Sequence, residues 1–250
     1  MTWITADFPD LPASAQGKVK AIVTCREGGV STAPYASFNL ASHVGDEGVK
    51  VQTNRAILRE EAGLPTQPYW LNQTHSACVL DIPFEYRTDI AADASFTSVP
   101  KTVCAVLTAD CLPLLVVDKD ASEVAAIHAG WRGLASGIVE NTLTRLRSSV
   151  EHLHVYLGPA IGPGAFEVGE DVRQAFVSLN RGFDACFRPT PVAGKYLADL
   201  YQLARLKLKA LGVGYISGGE YCTYDQANMF YSYRRDGQTG RMASLIWLEG

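Results

Sequence analysis

Apolar residues recur along this chain in two rhythms, and the switches between them mark its elements. Val19–Thr24 is a short run rich in β-branched residues, closed by the turn sequence Arg26-Glu27-Gly28-Gly29, and reads as a strand. Val103–Thr108 and Leu112–Asp118 read the same way, the first too apolar for an exposed edge, and Glu123–His128, Leu153–Gly158 and Met242–Leu248 complete the strands. Helical spacing places Val49, Ala56, Ile57 and Ala62 on one helix, with Asp46 as its cap and Gly63 and Pro65 as its stop. A second helix follows Gly130-Trp131-Arg132-Gly133 and carries Leu134, Ile138, Val139, Leu143, Leu146 and Val150. Val172, Ala175, Phe176 and Leu179 mark a third. Leu197, Leu200, Tyr201, Ala204, Leu208 and Leu211 mark a fourth, with Lys207 and Lys209 off its apolar face. His152 and His154 alternate on one strand and are expected to face solvent.

Strands adjacent in sequence alternate with strand–helix units, which predicts an α+β architecture of mixed sheet packed by helices. No repeat, low-complexity linker or charge block divides residues 1–250, so a single domain is expected. A chain of 250 residues buries roughly 70–75% of its unfolded surface and needs neither disulfide nor metal to fold. Any metal is therefore expected to serve chemistry.

Charge and cysteine usage narrow the setting. The net charge is −4, and Arg234-Arg235 is the only adjacent basic pair, so nucleic acid is not an expected partner. Met1–Gln16 lacks the pattern of a secretory signal, and no apolar run reaches the length of a membrane span. The six cysteines, at 25, 78, 104, 111, 186 and 222, form no CxxC pair, which suits free thiols in a reducing cytoplasm.

Three stretches place reactive residues where strands end: Leu71-Asn72-Gln73-Thr74-His75, Leu107-Thr108-Ala109-Asp110-Cys111, and Ala126-Ile127-His128-Ala129-Gly130-Trp131-Arg132-Gly133. Two imidazoles and a thiolate suit zinc, leaving a fourth position for a water whose pKa the ion lowers to about 7. The residues alone leave two alternatives open, a set of buried core side chains and a metal-free Cys–His nucleophile. Arg132, at the start of the predicted helix, and Arg26, before a double glycine, are candidate anion-binding residues. His43 is a candidate acid–base group in the pocket, and Asp110 a candidate partner for a ligand imidazole. The glycines of Gly158–Gly164 do not form the GxGxxG of a dinucleotide loop.

Further stretches complete a pattern: Arg26-Glu27-Gly28-Gly29-Val30-Ser31, Ser37-Phe38-Asn39-Leu40, His43-Val44-Gly45-Asp46, Asn54-Arg55, Gly158-Pro159-Ala160-Ile161-Gly162-Pro163, Phe166-Glu167-Val168-Gly169, Cys222-Thr223-Tyr224, and Phe230-Tyr231-Ser232-Tyr233-Arg234-Arg235-Asp236 running into Thr239-Gly240-Arg241-Met242-Ala243-Ser244. In this order, and over nearly the whole chain, the sequence resembles the YfiH-like family, also called polyphenol oxidase, laccase-domain or purine nucleoside phosphorylase-like proteins. The resemblance implies a CNF-toxin/YfiH-type fold and assigns His75, Cys111 and His128 as zinc ligands, with copper as the alternative metal. Thr74 and Ser76 flank His75 where the family more familiarly has Val and Gly.

The resemblance further implies a zinc enzyme acting on small molecules, a purine nucleoside and phosphate. The expected reactions are phosphorolysis of adenosine, inosine, guanosine or methylthioadenosine and hydrolytic deamination of adenosine. Two other enzymatic readings stand beside it: copper-dependent polyphenol oxidation, and hydrolysis of a misincorporated amino-acid linkage in a cell-wall precursor. Five histidines are few for a multi-copper cluster. A metal-stabilised interaction module is the non-enzymatic alternative. A monomer or weak oligomer is expected.

Overall fold

Strands with no polar face need cover on both sides, and this chain supplies it by stacking its sheets. The computed structural model describes residues 3–87 and 89–250. One sheet has five strands in the order β1 (Trp3–Thr5), β2 (Val19–Thr24), β14 (Met242–Leu248), β6 (Cys104–Thr108) and β3 (Tyr69–Trp70), antiparallel except for the β3–β6 pair. The other large sheet has six, in the order β13 (Tyr215–Gly218), β9 (Leu153–Leu157), β7 (Leu112–Asp118), β8 (Val124–Ala129), β5 (Ala94–Thr97) and β4 (Val79–Asp81). Its outermost pairs are parallel and its inner pairs antiparallel. A three-stranded antiparallel sheet, β10 (Glu167–Gly169), β12 (Lys195–Ala198) and β11 (Phe187–Pro189), lies apart from both. The expected α+β class with mixed sheets is what the chain adopts.

Alternation along the strands explains the unbroken apolar runs. Cys104 and Val106 of β6 enter a core shared with Leu115 and Val117 of β7 and Val124 and Ala126 of β8, between the two large sheets. Ala105 and Leu107 face the other way, onto Phe38, Leu40 and, from α1 (Gly48–Glu61), Leu58. Leu112, Leu114 and Val116 join the third core, under α2 (Trp131–Ala135), α3 (Ile138–Leu143), α4 (Glu170–Val177) and α5 (Leu200–Leu211). Each fully buried leucine in these layers contributes about 1.5–3 kcal/mol, so both faces stabilise the strands.

Several expectations need correction. The first helix buries Val51, Asn54 and Leu58, while Val49 is largely exposed. Asp46 does not cap it: its carboxylate accepts from Ser31 Oγ, Asn39 Nδ2 and the Glu47 amide, and so ties the preceding loop together. Buried Asn54 does the same, accepting from the Val30 amide and donating to Ser31 Oγ and the carbonyls of Ser37 and Asn39. A polar residue on the buried helix face broke the apolar pattern.

The single helix expected after Gly133 is two short ones, because Gly137 turns left-handed at φ 91°. Leu197 lies on β12 rather than on α5, and Leu179 lies beyond α4 and is exposed. Lys207 is buried and ion-paired with Glu140, joining α5 to α3. His154 is also buried. Its ring stacks on Tyr215 at 4.2 Å, because β9 is an interior strand whose face meets the N-terminal segment around Phe8. Burial lowers its pKa, against the nearby charges of Asp10 and Asp118. Among the described residues, no helix is long and apolar enough to cross a membrane.

Candidate metal centre

The three residues picked out by the sequence arrive from different layers. His128 is on β8, Cys111 lies in the passage from β6 to β7, and His75 is in the loop between β3 and β4. The β7–β8 register pairs Pro113 with His128 and Leu112 with Ala129, so Cys111 comes opposite Gly130. Their side chains meet: one ligand atom from each of His75, Cys111 and His128 falls within 4.8 Å of the others. His75 Nε2 stands 3.7 Å from Cys111 Sγ, and the two imidazoles meet edge to face with centroids 4.9 Å apart. The group can hold a metal ion.

Two residues at the centre adopt left-handed backbone, His75 at φ 62° and Asp110 at φ 90°. Such residues cost about 1–3 kcal/mol each and persist only when their surroundings fix them. For His75 the fixing group is Asp93, fully buried, whose carboxylate accepts from the amides of Thr74, His75 and Ser76 at 3.2, 2.9 and 2.6 Å and from Ser76 Oγ. The same carboxylate holds His128 Nδ1 at 2.7 Å. With Nδ1–H committed to Asp93, the Nε2 lone pair of His128 is the one left for a metal. Gln73 adds a second tie, exchanging two hydrogen bonds with the backbone of Leu107 on β6.

The fields of these groups set their protonation. Burial raises the pKa of Asp93, but the hydrogen bonds from His128 and Ser76 outweigh it and hold the carboxyl below its ordinary range. Burial also pushes the Cys111 thiol up, and the neighbouring His128 and His75 imidazoles override it to bring the pKa to about 6. His128 is lowered by burial and raised more strongly by Cys111 and Asp93, to about 9. Both shifts favour the Cys111 thiolate, the form a metal requires.

Gly130 shows how tightly the centre is drawn together. A Cβ on it would meet Cys111 Sγ at 2.8 Å and His75 Cδ2 at 3.1 Å, while its φ of −62° is open to any residue. Gly130→Ala is therefore expected to displace two donors without backbone strain and to weaken metal binding by about tenfold or more, as disturbances around ligands commonly do. Competition with a chromophoric chelator reads this directly, and unchanged affinity would mean that the donors are not set by this contact.

A cavity of about 550 Å³ opens above the three residues, lined by His43, Trp131, Arg132, Phe166, Tyr233, Arg234 and Arg241 among others. Of the further candidates, His43 and Arg132 belong to it and Arg26 does not. The guanidinium of Arg26 donates to the carbonyls of Ala36 and Ala227 and lies over the ring of Tyr231, so it holds loops together. Arg132 is exposed and packs on the Trp131 ring, and its five-residue helix is too short to supply the terminal field expected of a long one.

Asp110 does not orient an imidazole. It accepts from Thr223 Oγ1 and the Arg234 amide, leaving the imidazole to Asp93. Partial burial and the charges of Arg241 and Arg55 lower the pKa of His43. Asp93, Gln73 and Arg241 were missed by the sequence reading. Asp93 sits among alanines with no motif around it, and reaches His128 only through the β5–β8 pairing. Arg241 lies in a stretch that carries the family pattern, which was its only signal.

Known proteins resemble the chain throughout its length. It is 50% identical over 232 residues to a Haemophilus influenzae protein named purine nucleoside phosphorylase, covering 92% of this chain and 95% of that one. It is 49% identical over 230 residues to the Escherichia coli purine nucleoside phosphorylase YfiH, covering 92% and 94%. A crystal structure from Neisseria meningitidis superposes with a TM-score of 0.93 at 48% identity, all of both chains being covered. Residues 20–249 match the model of a family described as multi-copper polyphenol oxidoreductase laccase, and the chain belongs to that family.

Proposed function

We propose that the chain is a zinc-dependent purine nucleoside phosphorylase that also deaminates adenosine, with His75, Cys111 and His128 holding the metal. The observation that carries this reading is the 50% identity, over nearly the whole chain, to a relative named purine nucleoside phosphorylase. The site supports it independently through its donors, since two imidazoles and a depressed thiol are a donor set that suits zinc. Bound there, zinc would supply a Lewis acid and a water made acidic near neutral pH.

The chain's own residues account for the rest. Trp131, Phe166 and Tyr233 offer rings against which a flat purine can pack. In phosphorolysis a phosphate oxygen bonds to C1′ of the ribose as the C1′–N9 bond breaks, and the base leaves with the electron pair and takes up a proton. His43, whose pKa is lowered by partial burial and by the charges of Arg241 and Arg55, lines the cavity where it can hold or move that proton. In deamination water adds at C6 of adenosine and ammonia leaves.

The family's description favours a second reading, copper-dependent oxidation of phenols. Among the described residues, His75, Cys111 and His128 form the one group of three such donors close enough to share an ion. Of the other histidines, His154 is stacked beneath Tyr215 and His43 stands among arginines. Among the described residues, a multi-copper cluster lacks its ligands.

The test is to incubate zinc-loaded protein with adenosine, with and without phosphate. The reading expects adenine and ribose 1-phosphate only when phosphate is present, and inosine in either case. Oxidation of a phenol by copper-loaded protein, with no nucleoside turnover, would replace it with the second reading.

A further inference from the structure

The cavity above the centre carries more positive charge than its carboxylates balance. Arg132, Arg234 and Arg241 line it, whereas Asp110 is its one lining carboxylate and has both oxygens engaged, by Thr223 and by the Arg234 amide. The three arginines differ in what holds them. Arg132 is exposed on the face of Trp131, and exposed Arg234 donates to the Glu167 carbonyl beside the Phe166 ring. Arg241 is half-buried, and its Nη1 is fixed to the carbonyls of Thr239 and Gly240 at 2.9 and 3.0 Å. Its Nε and Nη2 have no acceptor among the described residues, and no carboxylate there is within ion-pairing reach of it. Cys111 and Asp110 act on it only through space, and a guanidinium taken partly out of water with one edge unbonded costs free energy that an arriving anion returns.

Arg241 also stands at a junction. A side cavity of about 320 Å³, lined by His43, Val44, Tyr233, Gly237, Gln238, Thr239 and Arg241, shares His43, Tyr233 and Arg241 with the main one. The geometry points to a phosphate-group site at this junction, with the free edge of the Arg241 guanidinium as its fork and His43 as its second partner. A guanidinium edge matches two oxygens of a tetrahedral oxyanion, which an ammonium cannot. Partial burial and the charges of Arg241 and Arg55 lower the pKa of His43, and an imidazole in its neutral form can either donate to or accept from a phosphate oxygen. The inference rests on the nucleoside reading only in taking the phosphate as co-substrate. The anion could instead arrive as part of a nucleotide.

The test is calorimetric titration of the zinc-loaded protein with inorganic phosphate and, separately, with adenosine 5′-monophosphate. The proteins are wild type, Arg241→Gln, Arg241→Lys, and Arg59→Gln as a control on the exposed face of α1. Arg241→Gln is expected to weaken phosphate binding by about tenfold or more, Arg241→Lys to fall between, and Arg59→Gln to match wild type. Arg241-dependent binding of inorganic phosphate identifies the free ion as the ligand, and dependence confined to the nucleotide identifies a phosphate ester. Wild-type binding of both ligands by Arg241→Gln would overturn the site. Should that variant not fold, undiminished binding by Arg241→Lys would do so. Failure here is distinct from failure of the nucleoside reading: Arg241-dependent phosphate binding without phosphorolysis would remove only the latter, and phosphorolysis with an unchanged phosphate KM in Arg241→Gln only the former.

Discussion

Cys111→Ala is expected to lose its metal and its nucleoside turnover together while remaining folded. The thiolate is one of three donors, and an imidazole pair alone holds zinc far less well than two imidazoles and a sulfur, so affinity should fall beyond the roughly 10–100-fold typical of losing a residue behind the ligands. Stability should hardly change. Cys111 belongs to none of the apolar cores that join the sheets and helices. Removing one sulfur from a half-buried position should lower the melting temperature by no more than about 2–4 °C, as about 1 kcal/mol does in a chain of this size. Metal content, turnover and melting curves on one preparation decide it. A collapse of the melting temperature would make the metal structural, and retained turnover would move the chemistry away from Cys111.

Asp93→Asn is expected to damage metal binding and stability alike. Both carboxylate oxygens accept: one takes His128 Nδ1 and the His75 amide, the other the amides of Thr74 and Ser76 and the Ser76 hydroxyl. An amide offers only one acceptor oxygen, so either orientation turns donors against donors in a fully buried place. Each N–H left unpaired costs about 1–3 kcal/mol. If the amide faces His128 it donates to Nδ1 and forces the proton onto Nε2, where the metal must bind. Metal affinity should fall by about 10–100-fold, and chemical denaturation should show the stability loss. The depressed pKa adds a signature in pH. Wild-type stability gains from the ionised carboxylate above the unfolded value of about 4 and loses that gain as pH falls through the lower folded value. Asp93→Asn should lack this acid limb, and a variant that kept full metal affinity would show that Asp93 does not set the tautomer.

The sequence pattern reached the strands best, because both sheets are covered on two faces and leave their members almost uniformly apolar. Val19–Thr24, Leu112–Asp118 and Met242–Leu248 appear with the expected bounds. It failed where burial is polar. Asn54 and Lys207 sit on inward helix faces because partners distant in sequence satisfy them, and no local rhythm reports a partner. The short strands β3, β4 and β10–β13 were invisible for a related reason, since two to four residues cannot establish a period. His75, Cys111 and His128 were legible as reactive residues at strand ends. Their partner was not: Asp110 adjoins Cys111 in sequence, but its left-handed turn aims its side chain at Thr223, while Asp93 reaches the imidazole across the sheet. Arg26 differs in the same way, since its guanidinium clamps the carbonyls of Ala36 and Ala227 and does not line the cavity.

The central claim is that His75, Cys111 and His128 together bind zinc in a site built for nucleoside chemistry. X-ray absorption at the zinc edge of the loaded protein tests it most directly. The account predicts one sulfur at about 2.3 Å and two imidazole nitrogens at about 2.0–2.1 Å, with the sulfur shell lost in Cys111→Ala. A wild-type spectrum with only oxygen and nitrogen neighbours would contradict it.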